Sequence, residues 1–231
     1  HRLRVYAAMI RGLDRSVGRV LAALQDNGLD DNTLVVFTSD NGGAHYLGLP
    51  RVNHPFRGWK LTHFEGGVRV PFFMRWPAGL PPGTRYPHPV SHLDVFATAA
   101  AAAGAELPDD RVVDGIDLLG LVRGDQGRGP DRALFWRQGH LRAVQYEGWK
   151  LIRAERPARR WLFDMRADPT EQNDLAAVHP ERVAALEALI AAHDAEQAPP
   201  AWPSRAETPV SIDITLEDPQ SPDDEYTYWP N

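Results

Sequence analysis

The stretch LVVFTSDNGG, residues 34–43, decides the fold. Leu34–Thr38 is a continuous run of apolar and β-branched side chains, which predicts a buried strand, and a parallel one because parallel strands are covered on both faces. Asp40 and Asn41 follow at its carboxyl end, where ligands of open α/β sheets bind. Asp-Asn-Gly-Gly is also ordinary turn chemistry, so these residues alone leave both a structural turn and a ligand site open.

The segment before this strand predicts an amphipathic helix that ends at Asn27-Gly28, a pair suited to a left-handed stop. Its apolar residues recur at helical spacing: Tyr6, Met9, Ile10, Leu13, Val17, Val20, Leu21 and Leu24. A helix followed by a buried strand indicates an α/β layer fold. Val68–Trp76 predicts a second strand, and the alanine-rich segment Ser91–Ala103 predicts a helix capped by Ser91.

The pattern changes beyond Pro108. Short apolar runs alternate with turn residues across residues 133–166, which predicts an antiparallel meander of about three to four strands. Pro180–Gln197 predicts a helix that packs on this sheet. The tail after Pro199 is rich in proline and acid and predicts irregular chain. We therefore expect part of a large α/β domain over residues 1–125 and a small α+β subdomain with an irregular tail over residues 126–231.

Composition excludes several classes of protein and site. The 231 residues carry a net charge of -6 without a long run of one sign, which argues against a nucleic-acid surface. No apolar segment approaches the ~20 residues that a membrane helix needs. The absence of cysteine excludes disulfides and thiolate metal sites. No signal peptide is recognisable, so the compartment, periplasmic, secreted or cytoplasmic, stays open.

Three motifs follow one another in the first half: SDNG at residues 39–42, NHPFRGWK at 53–60 and EGGVRVP at 65–71. This ordered series resembles the sulfatases of the alkaline-phosphatase superfamily. Further matches extend the resemblance over nearly the whole chain, among them Asp114–Leu118, Trp149–Leu151 and Asp168–Leu175. The resemblance implies part of an alkaline-phosphatase-like α/β/α sandwich, followed by a small antiparallel sheet with a packed carboxyl-terminal helix.

The resemblance also implies a sulfuric ester hydrolase of the arylsulfatase type. Asp40 and Asn41 match that family's ligands for a divalent cation, and their hard oxygens suit Ca²⁺ or Mg²⁺. Lys60 matches the lysine that contacts a sulfate oxygen. Trp59 and His63 are candidates for lining the substrate pocket, and the implied substrate is a sulfate ester of a small molecule or a glycan.

Other polar residues around these motifs have less defined roles. Arg57 and Arg69 are expected to orient the loop or the strand end through bidentate pairs, with Glu65 as a partner or a brace. A proton-donor role and an ordinary loop role both stay open for three nearby histidines, His45, His54 and His63.

The family's nucleophile, a formylglycine made from the first residue of C/S-x-P-x-R, has no counterpart here. The near miss, Ala201–Arg205, begins with alanine. The resemblance thus implies the carboxyl-terminal half of a sulfatase, inactive alone, whose partner is an amino-terminal half with the formylglycine. Two alternatives stay open. One is a phosphonate or phosphodiester hydrolase of the superfamily, whose two-metal members tend to carry Asp-His where this chain has Asp40-Asn41. The other is a non-catalytic half that acts as an assembly module.

Overall fold

The computed structural model describes residues 1–124, 129–202 and 204–230. Its helices and strands, in chain order, are α1 (Arg2–Asp26), β1 (Val35–Thr38), a 3-10 turn (His45–Leu47), α2 (Glu65–Val68), β2 (Phe72–Arg75), α3 (Asp94–Ala102), α4 (Leu119–Arg123), β3 (Leu134–Gln138), β4 (Leu141–Tyr146), β5 (Trp149–Glu155), β6 (Ala158–Asp164), α5 (Pro180–Glu196), β7 (Glu207–Ser211) and β8 (Tyr226–Pro230). These residues pack as two compact units. The first unit consists of His1, Leu3–Thr38 and Pro71–Pro130, and the second consists of Arg2, Ser39–Val70 and Asp131–Asn231. In the ranges described, no helix combines the length and apolar character that a membrane crossing requires.

Helix α1 of the first unit is the predicted amphipathic helix. It ends as expected, because Gly28 adopts a φ of 67° and the Leu29 N–H donates to the Leu24 carbonyl at 2.9 Å. None of its residues is buried. Its apolar stripe and the strands β1 and β2 together line an open groove of about 350 Å³, with side chains that include Leu13, Val17, Val35, Phe37, Phe73 and Met74.

Strand β1 pairs antiparallel with β2, so that Val35 lies opposite Arg75 and Thr38 opposite Phe72. The prediction of a parallel, fully buried strand is wrong for the described chain, in which β2 is its partner and its four residues are half-buried. A continuous apolar run indicates burial but not the direction of the neighbouring strand.

The strand predicted over Val68–Trp76 is confined to β2, because its first residue belongs to α2 instead. There the Val68 N–H donates to Phe64 O at 3.1 Å, and the next residue continues the pattern with a 2.7 Å bond to Glu65 O. Helix α3 begins later than expected, and its N-cap is Leu93, so the prediction of Ser91 as the cap is wrong. The Asp94 carboxylate accepts the Ser91 N–H at 2.7 Å and thereby fixes the entry to α3.

The second unit contains the predicted meander, a four-stranded antiparallel sheet in the order β3-β4-β5-β6. Helix α5 covers one face, where Leu186 and Ile190 pack on Leu151 and its neighbours. Ile152, the next residue along β5, belongs to the opposite face. That face is covered by a second cluster, which contains Phe64, Leu141, Ala143, Ala154, Trp161, Phe163 and Ile212. Successive side chains of β5 therefore point to opposite faces of the sheet and pack into two separate cores.

The tail is more regular than predicted. Strands β7 and β8 form an antiparallel pair, with Glu207 opposite Pro230 and Ser211 opposite Tyr226. The expectation of wholly irregular chain is wrong here, because Val210 is fully buried and anchors the pair despite the many prolines and acids around it. The domain boundary at residues 125 and 126 stays a prediction.

Candidate functional site

Asp40 and Asn41 lie in the tight turn at the start of the second unit. Asp40 is exposed and Asn41 is half-buried. The Asn41 N–H donates to Asp40 Oδ1 at 2.9 Å, and Asn41 Nδ2 donates to Gly42 O at 2.9 Å. The amide nitrogen is only a donor, so Oδ1 is the Asn41 atom that would serve a cation. The turn thus presents one carboxylate and one amide oxygen from adjacent residues.

Gly42, directly after this turn, and Gly66 of the EGG motif are required by close backbone packing. A Cβ on Gly42 would lie 1.8 Å from Gly66 O, and the Gly42 N–H donates to Gly67 O at 2.9 Å. On the other side, a Cβ on Gly66 would lie 2.2 Å from Gly58 O. A side chain at either position would force the backbones apart. The SDNG and EGG motifs therefore form a single packed structure, which explains why the chain turns on glycine directly after two polar residues.

Asn53 holds this structure together, a role that the sequence interpretation did not assign. Its Oδ1 accepts the Gly43 N–H at 2.7 Å, and its Nδ2 donates to Gly43 O at 2.9 Å and to Gly58 O at 3.0 Å. One side chain thus satisfies three main-chain groups on two loops. Its place at the head of the second motif was the available signal, but a motif does not say which backbone groups an amide will bind.

Lys60 is joined to the same turn through its main chain. The Lys60 N–H donates to Gly43 O at 2.9 Å, and its side chain is half-buried. The structure therefore brings the backbone of Lys60 beside the turn that carries Asp40 and Asn41. Lys60 and Lys150 are the two lysines of the sequence, and Lys150 is completely buried. The roles of Asp40, Asn41 and Lys60 toward ligands stay predictions.

Trp59 and His63, the other pocket candidates, are buried at 5% and 7% exposure. Thr62 Oγ1 accepts the Trp59 N–H at 3.1 Å and donates to Trp59 O at 2.8 Å, which closes this bend. Burial, with smaller contributions from the charges of Lys150 and Arg142, lowers the pKa of His63 to about 3. His63 is therefore neutral at physiological pH, and its contact with substrate stays a prediction.

Both arginines of the motifs form ion pairs, but only Arg57 forms the expected bidentate pair, and Arg69 makes a single contact. Arg57 binds Asp213 in a bidentate manner, at 2.6 Å and 2.7 Å. Arg69 pairs with Glu65 at 3.3 Å and lies 4.6 Å from the ring centroid of Phe56. Glu65 is thus a partner of Arg69 and not of Arg57. Of the open histidines, His45 is buried, and burial lowers its pKa.

The donor set fits a hard cation in kind but not in number. Carboxylate and amide oxygens are the ligands that Ca²⁺ and Mg²⁺ prefer, and Ca²⁺ takes about six to eight of them. Across residues 1–124, 129–202 and 204–230, no group of three or more histidine and acidic side chains is arranged to hold a metal. Asp40 and Asn41 can therefore serve as part of a cation site, with further ligands supplied from elsewhere.

Comparison with known proteins identifies two matching families. Residues 1–105 match the family Sulfatase, and residues 57–192 match N-sulphoglucosamine sulphohydrolase, C-terminal. The chain is 47% identical over 155 residues to steryl-sulfatase of Mus musculus, an alignment that covers 64% of this chain and 25% of that protein. It is 43% identical over 138 residues to N-acetylgalactosamine-6-sulfatase of Canis lupus familiaris, covering 58% of this chain and 26% of that protein.

Solved structures share the fold. The chain is similar to Ps i-CgsB in complex with k-i-k-neocarrahexaose, with a TM-score of 0.76 and 31% identity over 85% of this chain and 44% of that chain. It spans about a quarter of the curated relatives named above. Since the match over residues 57–192 alone covers more than half of the sequence, and the match over residues 1–105 includes both the SDNG and the EGG motif, the chain belongs to the sulfatase family.

Proposed function

We propose that this chain is part of a sulfuric ester hydrolase in which Lys60 contacts a sulfate oxygen and Asp40 and Asn41 are ligands of a Ca²⁺ or Mg²⁺ ion. The observation that carries the proposal is the 2.9 Å bond from the Lys60 N–H to Gly43 O. It ties the residue expected to bind sulfate to the turn expected to bind the cation. Membership of the sulfatase family supports the same assignment.

The chemistry of these residues is electrostatic. The Lys60 ammonium binds and orients the ester sulfate and stabilises the negative charge that develops on its oxygens as the ester bond breaks. A bound divalent cation would polarise the same sulfate as a Lewis acid. Asp40 and Asn41 hold that ion by two oxygens, and the remaining ligands come from water or from polypeptide outside these residues.

The nucleophile lies outside this chain in our proposal. No C/S-x-P-x-R motif occurs among the 231 residues, so no formylglycine can form here. An amino-terminal half of the enzyme would supply it, which accords with the chain's spanning only 25% of mouse steryl-sulfatase. The apolar groove lined by α1, β1 and β2 is the surface on which we place that half, because its Phe73 and Leu13 are 63% and 49% exposed.

The substrate class is a sulfate ester of a small molecule or a glycan. The relatives carry names of both kinds, a steryl-sulfatase and an N-acetylgalactosamine-6-sulfatase. In this chain Trp59 and His63 are buried within their own loop, so in our proposal they support the wall of the pocket. The side chains that distinguish an aryl from a glycan ester would then lie mainly in the other half.

The test is the substitution Lys60→Ala in the complete protein. We expect kcat/KM for a chromogenic aryl sulfate, measured with Ca²⁺, to fall by roughly 10²–10³-fold, the scale for losing one positioned charge-stabilising donor. The matched control is Arg51→Ala, since Arg51 is an exposed cation of the same segment. A Lys60→Ala enzyme within about twofold of the control would contradict the proposal, because losing such a donor costs far more.

Substrate comparison separates the alternatives. The complete protein should hydrolyse the aryl sulfate with a higher kcat/KM than a phosphonate monoester or a phosphodiester. The reverse preference would favour the phosphonate or phosphodiester hydrolase reading. Turnover of none of these substrates, in a protein that carries the formylglycine, would favour an assembly module instead.

A further inference from the structure

The segment from Arg57 to Glu65, which carries Lys60, is held at its start by two acids from the tail. Arg57 donates through Nε and Nη2 to Asp213 at 2.6 Å and 2.7 Å, and through Nη2 to Glu225 at 2.5 Å. Its side chain is only 13% exposed. Burial alone would lower the pKa of Arg57, but the two carboxylates raise it. Such charge-assisted, bidentate contacts fix the orientation of a guanidinium more strictly than a single bond does.

The end of the same segment is held by a buried ion cluster. Lys150 Nζ lies 2.8 Å from Glu65 Oε1 and 2.8 Å from Glu171 Oε1. Glu171 also accepts the Glu65 N–H at 2.5 Å. Lys150 lies two residues before Ile152 on β5, so both side chains point to the sheet face that Phe64 covers. Lys150 of the sheet therefore holds the Glu65 side chain, and Glu171, from the segment between β6 and α5, holds its main-chain N–H.

The acids that hold Arg57 come from a part of the chain that neither family match includes, since the second match ends at residue 192. The tail is nonetheless firmly packed. Ile212, next to Asp213, is fully buried in the cluster that contains Phe64. The Ile212 N–H donates to Glu225 O at 2.8 Å, which keeps the two acids side by side. Glu225 also pairs with Arg159 of β6. The tail thus presents two carboxylates at one fixed place.

Hydrogen bonds to the main chain fix the segment between Arg57 and Lys60. The Arg57 carbonyl accepts the Gly66 N–H at 2.7 Å, and Gly58 O accepts Asn53 Nδ2 at 3.0 Å. Two residues further on, the Lys60 N–H reaches Gly43 O. A shift of Arg57 would therefore move the EGG turn and the backbone of Lys60 together. Displacing a reacting or binding group by about 1 Å can cost about 10²-fold in rate.

We propose that Asp213 and Glu225 are positioning residues of the sulfate site: by holding Arg57 they fix the backbone that carries Lys60 beside the Asp40-Asn41 turn. They touch neither substrate nor cation in this proposal. The proposal deepens the proposed function and rests on it for the role of Lys60. It assigns a positioning role to the β7–β8 hairpin of the tail, which lies beyond the family matches.

The first test measures the order of the segment without any reference to activity. In the complete protein, Asp213→Asn should accelerate amide hydrogen exchange at Lys60 and Gly66 by about tenfold, since their hydrogen bonds would open locally. The control is Asp223→Asn, which removes one negative charge from an exposed position of the same hairpin. Exchange at these amides that is equal in the two variants would overturn the proposal. Glu225→Gln should accelerate exchange at the same two amides, and it replaces Asp213→Asn in the test if that variant does not fold.

The second test asks whether the tail acts through Lys60. Asp213→Asn should lower kcat/KM by about 10- to 100-fold in the wild-type background, the range seen when residues that orient a ligand are removed. In the Lys60→Ala background it should lower kcat/KM by less than about twofold, because the group that it positions is gone. Equal losses in both backgrounds would mean a general structural role and would overturn the proposal.

The two readouts separate this proposal from the proposed function. If Lys60→Ala has no effect on turnover, the role of Lys60 is wrong, whatever the exchange rates show. If Lys60→Ala behaves as expected but Asp213→Asn and Glu225→Gln leave the exchange at Lys60 unchanged, the positioning proposal fails and the function stands.

Discussion

The four-stranded sheet and the α1–β1–β2 group differ in how far their apolar side chains are exposed to solvent. Around the sheet, Phe64, Trp161 and Phe163 are fully buried. In the other group, no residue of α1 is buried, and Met9 and Phe73 are 67% and 63% exposed. Both regions thus have large apolar side chains at regular spacing, but the described chain buries those side chains only around the sheet.

This difference separates two kinds of stability. The sheet region derives its stability from contacts that the chain makes with itself, so its core substitutions should be costly in any context. The α1–β1–β2 region exposes a contiguous apolar surface of the kind that marks an interaction site. Its substitutions should therefore matter only when another polypeptide covers the groove. Three measurements test this comparison.

The largest expected effect is that of Phe64→Ala. Phe64 contacts Trp161 edge to face, with centroids 5.4 Å apart, and its removal should lower the free energy of unfolding by about 4 kcal/mol, because buried aromatic truncations leave a cavity. Phe73→Ala is the matched control and should cost less than about 1 kcal/mol in this chain alone. In the complete protein Phe73→Ala should cost clearly more. Equal small costs of Phe73→Ala in both contexts would break the comparison.

A second effect concerns the ion cluster inside the sheet region. Lys150→Met should lower the unfolding free energy in urea by about 3 kcal/mol, because it leaves Glu65 and Glu171 buried without their shared cation. The effect lies at the lower end of the usual range since Arg69 still pairs with Glu65. The double variant Lys150→Met/Glu171→Gln should recover part of the loss, while Arg205→Met, at an exposed position, should change little. A double variant less stable than Lys150→Met would contradict this account.

The smallest effect is a dependence of stability on pH. Burial lowers the pKa of His63 from 6.5 to about 3, so the unfolded chain takes up a proton as the pH falls through 6.5 and the folded chain does not. The contribution of His63 to the free energy of unfolding is therefore fully present above pH 6.5. As the pH falls below 6.5, the free energy of unfolding decreases by about 1.4 kcal/mol per pH unit.

Unfolding free energies measured between about pH 7 and pH 5 check the role of His63. His63→Gln should flatten the decline relative to the unmodified chain. His54→Gln, which changes an exposed histidine of the same segment, should leave the decline unchanged. Identical slopes for both variants would show that His63 is not the group responsible.

Periodicity explains which parts of the fold could be predicted. The spacing of Leu13, Val17 and Leu21 predicts α1, and the alternation of Leu151 and Ile152 fits a strand between two covers. The antiparallel pairing of β1 could not be predicted, because an apolar run contains no information on the direction of its neighbour. The β7–β8 pair was not predicted, because its few buried positions, such as Val210, lie among many prolines and acids and form no recognisable pattern.

The candidate site was predicted at the level of motifs but not of contacts. The order of the SDNG, NHPFRGWK and EGG motifs indicated that their residues act together, and Lys60 does lie beside the Gly43 carbonyl. Trp59 was a candidate for lining the substrate pocket from its place in the second motif, but the motif did not indicate that it is buried. The partner of Arg57 lies 156 residues further along the chain, and no local pattern reports a contact of that range.

The pairing of Arg57 with Asp213 also has a consequence for how this sequence can diverge. A half-buried guanidinium that loses one of its two carboxylates is destabilised, and an acid that loses the guanidinium is left without its partner, so a change at either position is tolerated mainly together with a change at the other. Homologues with a different tail should therefore differ at position 57 or carry an acid on another segment that reaches it. The tail would then evolve under the constraint of the loop that carries Arg57.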